Sequence, residues 1–173
     1  MWLIQPIQPK HDVSGFDCGK PPLTGWLKNH ALANDQNDIS KTHVAVLPDS
    51  NVVWGYYALS SVAVIPAEIP DSKKERIPQR DGFQVPCILL GRLAIDSRQQ
   101  KKGLGALLLA HALQRALESA RSVAAYAVVV DALDEEAKAF YLKHGFIEMT
   151  DDKLHLMMHM RKIRETFAAA DKQ

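Results

Sequence analysis

The sequence predicts an α/β domain in the broad sense, a mixed sheet with helices on both faces. Three observations support this. Strand-like and helical segments follow one another in the order strand, helix, strands, helix, strand, helix, strands. The segments CILLGRLAID and AAYAVVVDA are near-continuous apolar runs, as expected of central strands covered on both sides. Between them, residues 103 to about 121 place Leu104, Leu107, Leu108, Leu113 and Leu117 at helical spacing.

Taken in order, residues 2–8 read as a first strand. A helix follows in FDCGKPPLTGWLKNHALANDQ, its start marked by Gly19 and the Pro21-Pro22 pair. Its buried stripe is Leu23, Trp26, Leu27, His30 and Ala31, with His30 expected as a satisfied core histidine. THVAVL, then PDSN, then VVWGYYALSSVAVI reads as a hairpin of two β-rich strands. PAEIPDSKKERIPQRDGFQVP is rich in proline and charge, and is expected as a long loop with one helical turn. After the central strand, long helix and second apolar strand, DEEAKAFYLKHGF reads as a short helix that Gly145 ends as a left-handed cap. FIEMT and LHLMMHMRKI are expected to close the sheet. Residues 1–163 then make one domain, and 164–173 a polar, alanine-rich tail.

The bulk numbers narrow the function classes. At 173 residues the chain is large enough for one sizeable core. Its formal charge of +1 advertises no global field for nucleic acid, although it leaves room for a local patch. Cys18 and Cys87 are in no metal-like spacing and are expected as free, buried thiols in a reducing compartment, with no metal site. MWLIQPIQPK has no basic n-region or long apolar h-region, and VVWGYYALSSVAVIPA is too short and strand-like for a membrane span. A cytoplasmic protein with no membrane association is expected.

The chemistry centres on LGRLAIDSRQQKKGLGALLLAHAL, residues 90–113. It has neither the G-x-x-x-x-G-K-[S/T] of a P-loop nor the G-x-G-x-x-G of a dinucleotide fold. It does set a glycine-bearing basic loop, QQKKGLGA, just before a helix. The first turn of a helix has unsatisfied N–H groups and partial positive charge. Gly103 and Gly105 let an anion approach those groups, and Lys101 and Lys102 add charge. A diphosphate or similar anion fits; so does an ordinary strand-to-helix turn with solvated lysines.

Gln100-Lys101-Lys102-Gly103-Leu104-Gly105 matches the acyl-CoA loop pattern of the GCN5-related N-acetyltransferases, Gln/Arg-x-x-Gly-x-Gly/Ala. A second signature of that family, A-x-x-F-Y-x-x-x-G-F, is matched by Ala137, Phe140, Tyr141, Gly145 and Phe146, in the expected order after VVVDA. The chain therefore resembles this family. Over nearly its whole length, through FDCGKPPLTGWL, VVWGYYALS, LLGRLAIDSRQQKKGLG and VVVDALDEEAKAFYLKHGF, it is similar to the acetyltransferase toxins of bacterial toxin–antitoxin pairs.

The resemblance implies the GNAT fold, α/β (α+β), with a mixed, mostly antiparallel sheet of six to seven strands and about four helices on both faces. It implies acetyl-CoA as cofactor, held by Gln100 to Ala106, by the backbone of Leu93, Ala94 and Ile95 along the pantetheine, and around Asp134, Ala137 and Phe140. It further implies acetyl transfer to the amino acid on charged tRNA, blocking translation. A ribbon-helix-helix antitoxin is implied as partner, with DNA reached only through that complex, and a homodimer. The toxins often carry Gly at the position of Lys101, and many family members carry Asn at that of Asp134.

Acetyl transfer to an amine needs a neutral nucleophile and a protonated leaving thiol. An α-amine has a pKa near about 8, and a neighbouring ester lowers it, whereas a lysine starts near about 10.4, a penalty of roughly 3 kcal/mol at neutral pH. The absence of an obvious Glu or His base suits an α-amine acceptor. Tyr141 falls where the family carries its tyrosine acid, and a phenol stays protonated at neutral pH. By periodicity alone Ala137, Phe140, Tyr141 and His144 share one helical face, and an aromatic there is equally a core residue.

An RNA substrate needs basic contacts, for which Lys73, Lys74, Arg76 and Arg80 in the long loop, Arg92 beside the cofactor strand, and Lys138 and Lys143 near Tyr141 are the candidates. Two other readings stand beside this one: acetylation of a small-molecule or protein amine, and a non-catalytic acyl-CoA-binding interaction module.

Overall fold

The computed structural model describes residues 1–74 and 76–170. Its strands are β1 (Leu3–Pro6), β2 (Lys41–Val46), β3 (Gly55–Val64), β4 (Val85–Ile95), β5 (Ala127–Asp131), β6 (Ile147–Glu148) and β7 (His155–His159). They form a seven-stranded sheet in the order β1-β2-β3-β4-β5-β7-β6. The β1–β2, β2–β3, β5–β7 and β6–β7 pairs are antiparallel, as the sequence leads one to expect of a mostly antiparallel sheet. The helices are α1 (Pro21–Trp26), α2 (Leu32–Gln36), α3 (Leu104–Ser119), α4 (Glu135–Lys143) and α5 (Met160–Ala170). A π-helical turn over Leu27–Ala31 joins α1 to α2, so residues 21–36 form one helical run. That leaves four helical rods among the described residues.

The chain divides into two compact units, residues 1–60 with 90–112 and residues 61–89 with 113–173. In the first, strand alternation decides which helix covers which face. Tyr56 and Ala58 pack with Trp26, Leu27 and Ala31 of the 21–36 run. Their neighbours Gly55 and Tyr57 point the other way, toward α3. A Cβ at Gly55 would lie 2.8 Å from Leu108 Cδ1 and 3.0 Å from Ile95 Cδ1, and the Tyr57 hydroxyl is 2.7 Å from His111 Nδ1. Helices therefore lie on both faces of this unit's strands. In the second unit, Val64, Ile69, Ile77, Val85, Val129 and Met157 form the core beneath the long β3–β4 loop.

Several expectations are corrected. His30 is exposed, because the wide π turn carries it away from the stripe of Trp26, Leu27 and Ala31. Leu107 is 43% exposed, while Leu104, Leu108 and Leu113 are buried. The long loop holds two 3₁₀ turns, Pro66–Glu68 and Asp71–Lys73, rather than one helical turn. The last strand stops at His159, and MRKI begins α5 instead of extending it. Met160 and Ile163 supply its buried stripe at i and i+3, and the helix continues through Arg164 to Ala170. Residues 171–173 of the expected tail lie outside the described residues. Cys18 and Cys87 are free and buried, as expected, and burial pushes the Cys87 thiol up to about 11.

Candidate active site

In the first unit, the end of β4 delivers a fully buried carboxylate, Asp96. Arg98 meets it with two bonds, Nε to Oδ1 at 2.7 Å and Nη2 to Oδ2 at 2.9 Å. The backbone N–H groups of Arg98 and Asp17 donate to the same carboxylate at 3.0 and 3.1 Å. The Arg98 hydrogen bonds, foremost, hold the carboxyl down to about 2, against the opposing effect of burial. The guanidinium also lies over the Trp54 ring, 4.5 Å from its centroid, and donates to Gly15 O at 3.1 Å.

This knot ties two distant segments together. Ser97 N donates to Asp17 O at 2.8 Å. The Gln100 amide nitrogen donates to Cys18 O at 2.9 Å and to Ile95 O at 3.0 Å. Phe16-Asp17-Cys18-Gly19, singled out in the sequence, is thus the buttress on which the glycine loop rests. The Gln100 side chain, expected on the cofactor, is committed to that buttress, and Lys102 Nζ is turned back onto Arg98 O at 2.7 Å.

What the loop offers to an anion is backbone. Lys101 has φ of 60° and Gly103 of 87°, left-handed conformations that turn the chain sharply into α3. Leu107 N closes the first helical bond onto Gly103 O at 3.1 Å. The N–H groups of Leu104, Gly105 and Ala106 are then the first-turn donors of a 16-residue helix. Gly103 is exposed, with nothing within 4 Å of where a Cβ would stand. These features fit a diphosphate at the helix start. On β4, Leu93 is half-buried, and Ala94 and Ile95 are buried.

In the second unit, Asp134 caps α4, its Oδ1 accepting from Ala137 N at 2.9 Å. The carboxylate expected near the cofactor thus has a helix-starting role. Tyr141 lies in the last turn of α4 and is 6% exposed. Its ring meets Phe140 and Phe146 edge-on, both at 5.3 Å, and burial pushes its phenol well above the ordinary tyrosine range. The ring is therefore in the core, as periodicity allowed, and its hydroxyl holds its proton at every physiological pH. His144 is oriented by Phe140 O, 2.8 Å from Nδ1. Gly145, with φ of 95°, follows the helix as the expected left-handed residue. Ala137 and Phe140 are half-buried.

The basic residues predicted from the sequence do not act as one set. Lys138 is buried and paired with Glu148 at 2.7 Å. Lys74 pairs with Asp71 at 2.9 Å. Arg80 lies over Phe83 and Arg92 over Trp26, 5.1 and 4.4 Å from the ring centroids. Lys143 is exposed on α4. Lys73 and Arg76 line a cavity, described below, together with Arg161 and Lys162, which sequence reasoning missed by extending the last strand through them. The Asp96–Arg98 pair was missed as well; the D-x-R spacing at a strand end was its signal.

Residues 79–162 match the acetyltransferase (GNAT) domain model. A tRNA-acetylating toxin of Mycobacterium tuberculosis is 39% identical over 158 residues, covering 91% of this chain and 92% of the relative. The chain belongs to the GNAT family. Among solved GNAT structures, AtaT complexed with acetyl-methionyl-tRNAfMet has a TM-score of 0.88 at 30% identity, covering 96% of this chain and 99% of that one. A Tyr-to-Phe variant of the toxin AtaT, bound to the C-terminus of the antitoxin AtaR and to acetyl-CoA, has a TM-score of 0.81 at 27% identity, covering 96% and 98%. The GNAT fold expected from the sequence is the fold observed, and this GNAT chain spans nearly the full length of these relatives. No helix among its described residues is long and apolar enough to cross a membrane.

Proposed function

We propose that this GNAT protein transfers an acetyl group from acetyl-CoA to the α-amine of the amino acid on charged tRNA, acting as a translation-blocking toxin held in check by an antitoxin. The observation that carries the chemistry is Tyr141, a phenol on α4 whose burial keeps it protonated. The likeness to a tRNA-acetylating toxin over 91% of the chain supports the choice of acceptor.

Acetyl-CoA, when bound, supplies an activated thioester acetyl group. The first-turn amides of Leu104, Gly105 and Ala106 hold its diphosphate, and the Asp96–Arg98–Gln100 knot fixes the loop that presents them. The main chain of Leu93 to Ile95 would hold its pantetheine through backbone hydrogen bonds. Tyr141 Oη holds a proton for the departing sulfur, the acid half of general catalysis. The acceptor α-amine, already largely neutral at cytoplasmic pH, needs no strong base from the protein.

The antitoxin is of the ribbon-helix-helix class, DNA is reached through it, and the toxin works as a homodimer in the cytoplasm. AtaT in complex with AtaR supports the antitoxin.

The test is thiol release by the purified protein with acetyl-CoA and charged tRNA, run beside polyamines, peptides and no acceptor. Release with charged tRNA alone, together with growth arrest on expression that Tyr141→Phe relieves, is the expected result. Release with a polyamine or peptide and none with charged tRNA assigns the enzyme to another amine. Binding of acetyl-CoA with no release for any acceptor leaves an acyl-CoA-binding module.

A further inference from the structure

The second unit holds a cavity of about 480 Å³. Two walls carry its charge. Lys73 and Arg76 come from the β3–β4 loop, and Arg161 and Lys162 from the first turn of α5; among the described residues Glu165 is the one carboxylate in the lining. Asp71, two residues before Lys73, is paired with Lys74.

The backbone segments that carry these cations are tied to the fold. Tyr126 Oη donates to Lys73 O, and Thr150 donates to Ala67 O at 2.6 Å, pinning the loop at both of its 3₁₀ turns. On the other wall, Arg161 N donates to His159 Nδ1 at 2.9 Å, where β7 passes into α5. The His159 ring stands edge-on to Tyr126, centroids 4.4 Å apart. The field of the cluster registers on that imidazole. Burial chiefly, then Arg161, Lys73 and Arg164, hold its pKa below the usual histidine range. His159 is thus neutral at neutral pH, and with Nδ1 accepting, Nε2 carries its proton.

The lining is not charge alone. Ile147 and Met158 give it an apolar side, and Gly145 forms part of its wall. Gly145 follows the His144 cap of α4, four residues after Tyr141. A site of this size, with cations on two walls, a neutral N–H donor and apolar surface, suits a phosphate joined to a flat ring better than an isolated inorganic anion.

We infer that this cavity, between the Lys73–Arg76 loop and the start of α5, binds a nucleotide of the RNA strand in the charged-tRNA substrate. Arg161, Lys162, Lys73 and Arg76 take its phosphates, and Gly145, four residues after Tyr141, forms part of the wall. The inference rests on the proposed acceptor being charged tRNA and adds where this chain grips it.

The experiment measures affinity of the full chain for a fluorescently labelled, uncharged tRNA across a salt series. It compares wild type with Arg161→Gln/Lys162→Gln, with Arg76→Gln on the opposite wall, and with a charge-matched control, Lys10→Gln/Lys153→Gln. Acetyl-CoA affinity and thermal midpoint report that each variant is folded. Losing two phosphate contacts weakens binding about tenfold at fixed salt and lowers the slope of log Kd against log salt by roughly 1.5 to 2; Arg76→Gln lowers it by about half as much. Wild type that acetylates charged tRNA while cavity and control variants bind tRNA alike overturns the site and leaves the proposed function standing. Wild type that neither binds nor acetylates tRNA overturns both. Cavity variants that keep tRNA affinity but lose that for a polyglutamate peptide overturn the inference in favour of an acidic protein partner.

Discussion

Asp96 and Arg98, two residues apart at the end of β4, form a bidentate ion pair in which the carboxylate is fully buried and the guanidinium is 56% exposed. The geometry is directional: the acid is sealed under the loop, and the base covers it from solvent while stacking on Trp54. The pair stands where β4 becomes the glycine loop, so its integrity decides how the first turn of α3 is presented.

A buried carboxylate with a depressed pKa links stability to pH. Asp96 is ionised in the fold down to about pH 2, whereas in the unfolded chain it takes up a proton near about pH 3.9. The pair's contribution is therefore fully present above about pH 4 and is lost as pH falls toward 2. Its magnitude is about 2 kcal/mol. Thermal midpoints measured from neutral pH down to about pH 2 show this step, and Asp96→Asn removes it. Arg98→Ala leaves the carboxylate buried without its partner and lowers the neutral-pH midpoint by several degrees. An Arg98→Ala midpoint equal to wild type contradicts the role given to the pair.

Tyr141→Phe removes one hydroxyl and keeps the ring that packs on Phe140 and Phe146. Acetyl-CoA affinity and thermal midpoint stay near wild type, while kcat falls on the order of 10²–10⁴-fold. Burial raises the phenol's pKa, so the wild-type rate shows no alkaline loss from Tyr141 below about pH 10. A stopped-assay pH profile of wild type and variant checks both points. Full turnover in the variant takes Tyr141 out of the mechanism.

Gly103→Ala tests the loop backbone. At φ of 87° an added Cβ meets no neighbouring atom, so the penalty is conformational, about 1–2 kcal/mol. Relaxation toward negative φ reorients the first-turn amides of α3. The expected result is a several-fold rise in KM for acetyl-CoA with a smaller change in kcat. An unchanged KM places the diphosphate elsewhere.

Asp134→Ala removes the cap of α4 and costs about 1 kcal/mol, and Asp134→Asn restores most of it. Thermal unfolding reads the stability. Because α4 carries Tyr141, kcat follows the same order, wild type, Asn, Ala. A loss of acetyl-CoA affinity in Asp134→Asn with unchanged stability makes the residue a cofactor contact instead of a cap.

Local features were legible in the sequence. The apolar runs marked β4 and β5, Gly145 marked the end of α4, and leucine spacing marked α3, because each depends on a few neighbouring residues and a fixed geometric period. The two signature stretches around Gly103 and Tyr141 were legible for the same reason. What the sequence did not disclose was partnership at a distance. Gln100 is expected at the cofactor from the family loop pattern and Lys102 as charge beside an anion, yet carbonyls of Cys18, Ile95 and Arg98 take their side-chain hydrogen bonds. Lys138 read as a surface base, yet Glu148 neutralises it.

The sequence by itself determined the family, the order of the elements and the chemical types at the site, since these follow from residue identity and spacing. Only the tertiary structure decided which charges are spent inside the fold and which converge on a cavity. It sealed Asp96 beneath Arg98, and it brought Lys73 and Arg76 to the same cavity as Arg161 and Lys162, some 85 residues further along the chain. Electrostatic attraction and desolvation act through space, over a few ångströms, and chain position carries no record of those distances until the strands have paired.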